Sequence, residues 1–156
     1  MKNVRIAIFE PDIPQNAGAI MRLAACFDIS VDIIEPCGFI FSDRQLKRSG
    51  MDYIEHVNMK SHTSWDTFYD CQRTGEKSRI ILLTTNGDVI HTKFKYKPND
   101  ILLLGRESSG VPDTVHKQAD ARIIIPMTPK SRSLNVANAA AIVLGEALRQ
   151  TDSYPK

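Results

Sequence analysis

The sequence predicts an α/β domain with a mostly parallel, doubly wound sheet. Three observations predict it. Short apolar runs alternate with longer helical patterns along the chain. Arg79–Thr85 (RIILLTT) and Ile101–Leu104 (ILLL) are near-continuous apolar runs, as strands buried on both faces should be. The 156 residues suit one domain over 1–156, without an internal repeat, a low-complexity stretch or a domain boundary.

Taken in order, Val4–Phe9 (VRIAIF) reads as a strand ended by Pro11 and Pro14, with Asn16 as N-cap of a helix to about Phe27. Val31–Glu35 (VDIIE) is a second strand. Ser42–Ser49 (SDRQLKRS) has the look of a short basic helix stopped by Gly50. Tyr53–Val57 suggests an edge strand, and Ser64 caps a helix from Trp65 to about Arg73. After the strand Arg79–Thr85, Asn86-Gly87 marks a turn before Ile101–Leu104. Asp113–Ala119 follows Pro112 as a helix, Arg122–Ile125 (RIII) is a strand closed by Pro126 and Pro129, and a long helix spans about Leu134 to Gln150.

Lys+Arg 20 against Asp+Glu 18 leaves a net charge of +2, so charge alone would not hold this protein on nucleic acid, and any such site is a local patch. Hydrophobic residues at 42% and charged residues at 24% exclude a disordered or fibrous chain. Cys26, Cys37 and Cys71 are far apart and read as reduced, small core residues. His56, His62, His91 and His116 lack metal-ligand spacing and read as surface or edge side chains, so no metal is expected. No apolar run reaches the roughly 18 residues a membrane span needs, and MKNVRIAIFEP does not resemble a secretory leader. A cytoplasmic protein without a membrane partner is the expectation.

In parallel sheets, ligands bind beyond the carboxyl ends of the strands, which directs attention to the loops after Phe9, Thr85, Leu104 and Ile125. Gly105–Gly110 (GRESSG) has the glycine spacing of a P-loop, but Val111-Pro112 replace its Lys and Ser/Thr. EPDIPQNAG contains no dinucleotide fingerprint. Ala17–Phe27 (AGAIMRLAACF) is apolar all round except for Arg22, so the helix should be buried on most sides. Arg22 must then face a ligand cavity or pair with Glu10 or Asp12. Gly105 at a strand end permits close approach of backbone to a ligand, and Glu107 is placed to accept from a ribose hydroxyl or an amine. The last helix has no charge from Leu134 to Gly145, and its Ala137, Ala140, Ala141 and Gly145 suit a core position or a subunit interface. Lys130 and Arg132, with Ser131 and Ser133, form a polar loop before it that could hold phosphate.

At these segments the chain resembles the SpoU branch of the SPOUT RNA methyltransferases, and within it the small tRNA wobble-position 2′-O-methyltransferases. The first motif is read at Asn16, Gly18 and Arg22, the second at Gly105, Glu107 and Gly110, and the third at IPM-x-P-x-x-RSLN from Ile125. IFEPDIPQN and IIEPCGF also look like this subgroup. The resemblance implies a homodimer with a C-terminal trefoil knot, which periodicity would not have proposed. It implies S-adenosylmethionine held at Leu83, Gly105, Glu107, Ile125, Ser133 and Leu134, and methyl transfer to a ribose 2′-OH with Arg22 as catalytic residue. The implied RNA partner is the tRNA anticodon stem–loop, contacted by Asn16, Lys130 and Arg132, with Arg44, Lys47 and Arg48 as further phosphate contacts. Methylation at another RNA position and a non-catalytic RNA-binding dimer are the alternative readings. A flavodoxin-like nucleotide hydrolase lacks a Walker lysine, a metal cluster and a nucleophile–base pair.

Overall fold

In the computed structural model, residues 3–39, 57–131 and 134–156 are described. The strands are β1 (Arg5–Phe9), β2 (Val31–Ile34), β3 (Met59–His62), β4 (Ile80–Leu83), β5 (Val89–Ile90), β6 (Ile101–Leu104) and β7 (Ala121–Ile124). The helices are α1 (Pro14–Phe27), α2 (Trp65–Arg73), α3 (Asp113–Gln118) and α4 (Val136–Gln150). The strands form one sheet in the order β3-β2-β1-β6-β4-β7-β5, with every pair parallel.

The apolar runs form central strands because their alternate residues feed opposite cores. Ile6, Ile8, Leu102 and Leu104 pack on one side with Ile20 and Met21 of α1 and Val143 and Leu144 of α4. Ala7, Phe9, Leu103 and Ile101 pack on the other with Phe68 of α2 and Val115 of α3. Both faces are thus covered by helices, as the sequence predicts for a doubly wound sheet.

Several boundaries differ from expectation for clear reasons. Helix α1 begins at Pro14 rather than after Asn16: proline sets the helical φ and has no N–H to leave unpaired, so it starts the helix with Ile13 as N-cap. Ser64 caps α2 as expected, its hydroxyl accepting from the Thr67 N–H at 3.1 Å. The edge strand is β3, later in the chain than Tyr53–Val57, most of which lies outside the described residues, as does Ser42–Ser49. The short β5 was not expected, since two residues carry no periodicity.

The polar residues expected at the surface also moved. His62 is buried, because parallel register sets β3 beside β2 and brings its Nε2 to 2.8 Å from Asp32 Oδ1. Arg5 Nε lies 3.2 Å from Asp32 Oδ2, completing a buried polar cluster. Conversely, Cys26 and Cys71 are exposed on α1 and α2 rather than in the core. Cys37 is half-buried, and burial, aided by Glu35 and Glu10, pushes its thiol up to about 11. Among the described residues, no helix is long and apolar enough to cross a membrane.

One crossing positions the site. Leu83 of β4 and Val89 of β5 are both register partners of Ile123 in β7, on its opposite edges. The chain between them therefore steps across the end of β7. Thr84 N–H donates to the Ile123 carbonyl (3.0 Å), Asp88 N–H to Arg122 (3.1 Å) and His91 N–H to Ile124 (2.9 Å). At the crossing, a Cβ on Gly87 would lie 2.5 Å from the Ile123 carbonyl carbon and 2.8 Å from the Ile124 nitrogen. Only glycine fits between two backbones this close. Gly87→Ala should lower unfolding free energy by about 1–3 kcal/mol through overpacking. Urea denaturation beside wild type checks this, and an unchanged midpoint would refute the tight crossing.

Candidate active site

Beyond the carboxyl ends of three neighbouring strands, β6, β4 and β7, lies a cleft of about 440 Å³. That size suits a small organic ligand. Its walls come from Leu83–Thr85 after β4, Gly105–Glu107 and Gly110 after β6, Ile125 and Met127 after β7, and Leu134–Val136 leading into α4. Asn16 in the first turn of α1 joins them. The lining is dominated by strand-end backbone and aliphatic side chains, which suit a flat ring edged by hydrogen-bonding groups.

The loop after β6 is folded back on itself. Arg106 and Gly110 exchange N–H to carbonyl bonds, both at 2.9 Å, and Gly110 takes φ +64°. A Cβ on Gly105 would meet the Gly110 backbone at 2.9 Å. The expectation that Gly105 serves the approach of a ligand thus acquires a second cause: the loop's own return strand needs the space.

Polar side chains tie this loop to its neighbours. Ser108 Oγ donates to Asp12 Oδ2 at 2.5 Å, and Arg106 lies 3.6 Å from Glu10 while its guanidinium stacks over Phe9 at 5.4 Å. Glu107 adjoins Asp12 and Asn16, and both act on its carboxyl. Asn135 Nδ2 donates to Asn16 Oδ1 at 2.9 Å, while Asn135 Oδ1 accepts from the N–H groups of Ala137 and Asn138, capping α4. Burial and the adjoining Asp12 push the Glu107 carboxyl above the usual glutamate range. The Glu107 and Ser108 hydrogen bonds hold Asp12 below the usual aspartate range.

The cleft gathers Leu83, Gly105, Glu107, Ile125 and Leu134, five of the six residues at which the resemblance puts the cofactor, together with Asn16. Ser133 and Arg132 lie outside the described residues, as do Arg44, Lys47 and Arg48. Lys130 is exposed in a turn braced by the Ser131 N–H to Thr128 carbonyl bond (3.0 Å), just after the cleft residue Met127. Arg22 departs from expectation. It is exposed and not among the residues lining the cleft, and α1 is not buried on most sides: Gln15, Ala19, Arg22 and Cys26 share one exposed face. Six residues beyond Asn16, Arg22 stands about 9 Å further along the helix and about 240° round it.

Sequence reasoning did not find Asp12, Ser108 or Asn135 as members of the site. Asn135 had a visible signal, an N-cap residue ahead of an apolar helix. The contacts of Asp12 with Ser108 and Glu107 span nearly a hundred residues and had none.

The SpoU rRNA Methylase family profile matches residues 3–145. A tRNA (cytidine(34)-2′-O)-methyltransferase of Beijerinckia indica is 51% identical over 152 residues, 97% of this chain and 94% of that protein. A solved structure concerned with the 2-OH methylation of C/U34 on tRNA superposes with a TM-score of 0.88 at 34% identity, covering 96% of both chains. An AdoMet-bound rRNA methyltransferase from Sinorhizobium meliloti superposes with a TM-score of 0.85 at 26% identity, covering 94% of this chain and 56% of that one.

Asn135→Ala should cost about 1–2 kcal/mol, as it removes the α4 cap and the donor to Asn16 together. Urea denaturation of the variant beside wild type measures this. A loss below half the lower figure would mean that neither bond matters.

Proposed function

On the premise that this chain belongs to the SpoU rRNA methylase family, we propose that it methylates the ribose 2′-OH of the wobble nucleotide 34 of tRNA, C or U, using S-adenosylmethionine. The observation that carries this reading is the cleft beyond β4, β6 and β7, where five of the six expected cofactor residues meet. Whole-length similarity to a relative named for that reaction supports it.

The cleft fits the cofactor by its own chemistry. Leu83, Ile125 and Leu134 offer an apolar slot edged by strand-end N–H and carbonyl groups, and Glu107 and Asn16 stand at its polar side. Because backbone does the holding, no glycine-rich fingerprint is required. When bound, the cofactor supplies a methyl group activated by a sulfonium centre. The crossing of residues 84–88 over β7 supports the trefoil knot that the resemblance implies.

Arg22 is the residue we assign to the reaction. A guanidinium stays protonated with a pKa above about 12, so it is a donor and not a base. Its role in this reading is to stabilise the oxyanion developing at the 2′-oxygen or to grip the adjacent phosphate. From its exposed face of α1 it would act on a partner's cleft rather than its own. The neighbouring α1 and α4 expose Ala19, Cys26, Ala141 and Ile142, an apolar surface that a second copy would cover, giving the homodimer. The RNA would then lie on Asn16, Lys130 and Arg132 of a single-domain cytoplasmic enzyme, without a metal.

Labelled S-adenosylmethionine incubated with tRNA from a strain lacking the enzyme should yield a 2′-O-methylated nucleotide 34 on nuclease mapping. Arg22→Ala should reduce transfer at least about 100-fold. Label elsewhere in the RNA would overturn the assigned position. Co-expression of Arg22→Ala with a Gly105→Val cleft variant should restore part of the activity, and no rescue would place each complete site within one chain. Ile142→Glu should convert the dimer to monomer by sedimentation velocity.

A further inference from the structure

Two buried carboxyl oxygens at the mouth of the cleft, Asp12 Oδ1 and Glu107 Oε2, find no donor among the described residues. The two carboxyl groups adjoin, each perturbing the other, and Ser108, next in the chain to Glu107, donates to Asp12 Oδ2 at 2.5 Å. Two acceptors cannot face each other unless a proton lies between them, and one proton satisfies both. We infer that Asp12 is a positioning residue that shares one proton with Glu107, so that the pair carries a single negative charge and holds the loop after β6 in its cofactor-binding shape. This rests on the assignment of the cleft to S-adenosylmethionine.

The surroundings decide which group keeps the proton. Asp12 accepts from Ser108 Oγ and feels the Arg106 charge, both favouring its ionised form. Glu107 is more deeply desolvated, which favours its neutral form. Asp12 is also sterically pinned: the Gly38 N–H donates to the Pro11 carbonyl at 2.9 Å, and a Cβ on Gly38 would lie 2.8 Å from Asp12 Cβ. The Asp12 backbone and Cβ are therefore held against the chain after β2. From α1 the group turned to the pair is the neutral Asn16, which accepts in turn from Asn135 at the start of α4. The other titratable groups at this corner, among the described residues, are Glu10, Arg106, Glu35 and Cys37.

The sign follows from the direction of the Glu107 shift. With the Glu107 value raised and the Asp12 value lowered, the one-proton pair exists between the two and is lost as pH rises through the Glu107 value. Above it, two adjacent negative charges push the loops after β1 and β6 apart, and the cleft loses its shape.

Carbon-13 NMR titration of the side-chain carboxyls in the full-length protein tests the pair without any reaction, Glu107→Gln assigning the resonance. Glu107 should titrate above the ordinary glutamate range in wild type. In Asp12→Asn it should return to or below that range, because the amide donates to a Glu107 carboxylate without a shared proton. A Glu107 titrating normally in wild type, or unmoved by Asp12→Asn, would overturn the inference. Calorimetric binding of S-adenosylmethionine across the same pH range tests the positioning role. Wild-type affinity should fall about tenfold above the Glu107 transition, while Asp12→Asn stays flat and Asp12→Ala binds about tenfold more weakly throughout. Parallel pH profiles for wild type and Asp12→Asn would reduce Asp12 to a structural residue. No cofactor binding at any pH, with the NMR result as expected, would refute the cofactor assignment and leave the shared proton standing.

Discussion

The structure depends on the close crossing of two backbones where Gly87 passes over Ile123. Strand β7 is bonded along one edge by β4 and along the other by the chain that has just left β4. A strand late in sequence is thereby locked between two consecutive earlier ones. Such a crossing rests on long-range contacts, so loop closure must be completed before those contacts reward it. Once formed, it leaves little freedom at the strand ends. The carboxyl ends of β6, β4 and β7 are held side by side, and their loops have nowhere to go but around the cleft.

That constraint explains the economy of the site. With the loops held by the crossing and by the Arg106–Gly110 return, main-chain groups can serve as the binding surface. Most of the cleft's side chains are aliphatic and require shape more than chemistry. The specific polar residues lie along one rim, where Asn135, Asn16, Glu107, Asp12 and Ser108 form a continuous chain of contacts. It joins the loop after β1, the loop after β6 and the starts of α1 and α4. A displacement of any one of these segments is therefore felt by the others.

Arg22 illustrates the other side of this architecture. The family resemblance singles it out by motif position, but a helix carries its faces in fixed directions. With Asn16 in the cleft wall, Arg22 is turned to the exposed face shared with Ala19 and Cys26. Ala141 and Ile142 of the neighbouring α4 are exposed as well. In the proposed reading, that shared exposure is what lets one chain's arginine serve a second copy's cleft.

The strands were legible because a strand buried on both faces has to be apolar at nearly every position: Ile101–Leu104 was read to the residue. Helix α2 was equally plain, since Ser64 ahead of an amphipathic segment acts locally. Gly105 and Glu107 stood out because they follow a strand end, whereas Leu83, Ile125 and Leu134 were singled out only by the family resemblance. What the sequence could not determine was everything set by parallel register and by the crossing. His62 meets Asp32 only because β3 lies beside β2, and Asp12 meets Glu107 only because β1 lies beside β6. Two-residue β5 exists only because β7 offers an open edge. Local chemistry chose the elements. Which distant side chains share a proton, a cap or a charge was decided by the order in which the strands pack, and no periodicity in the sequence encodes that order.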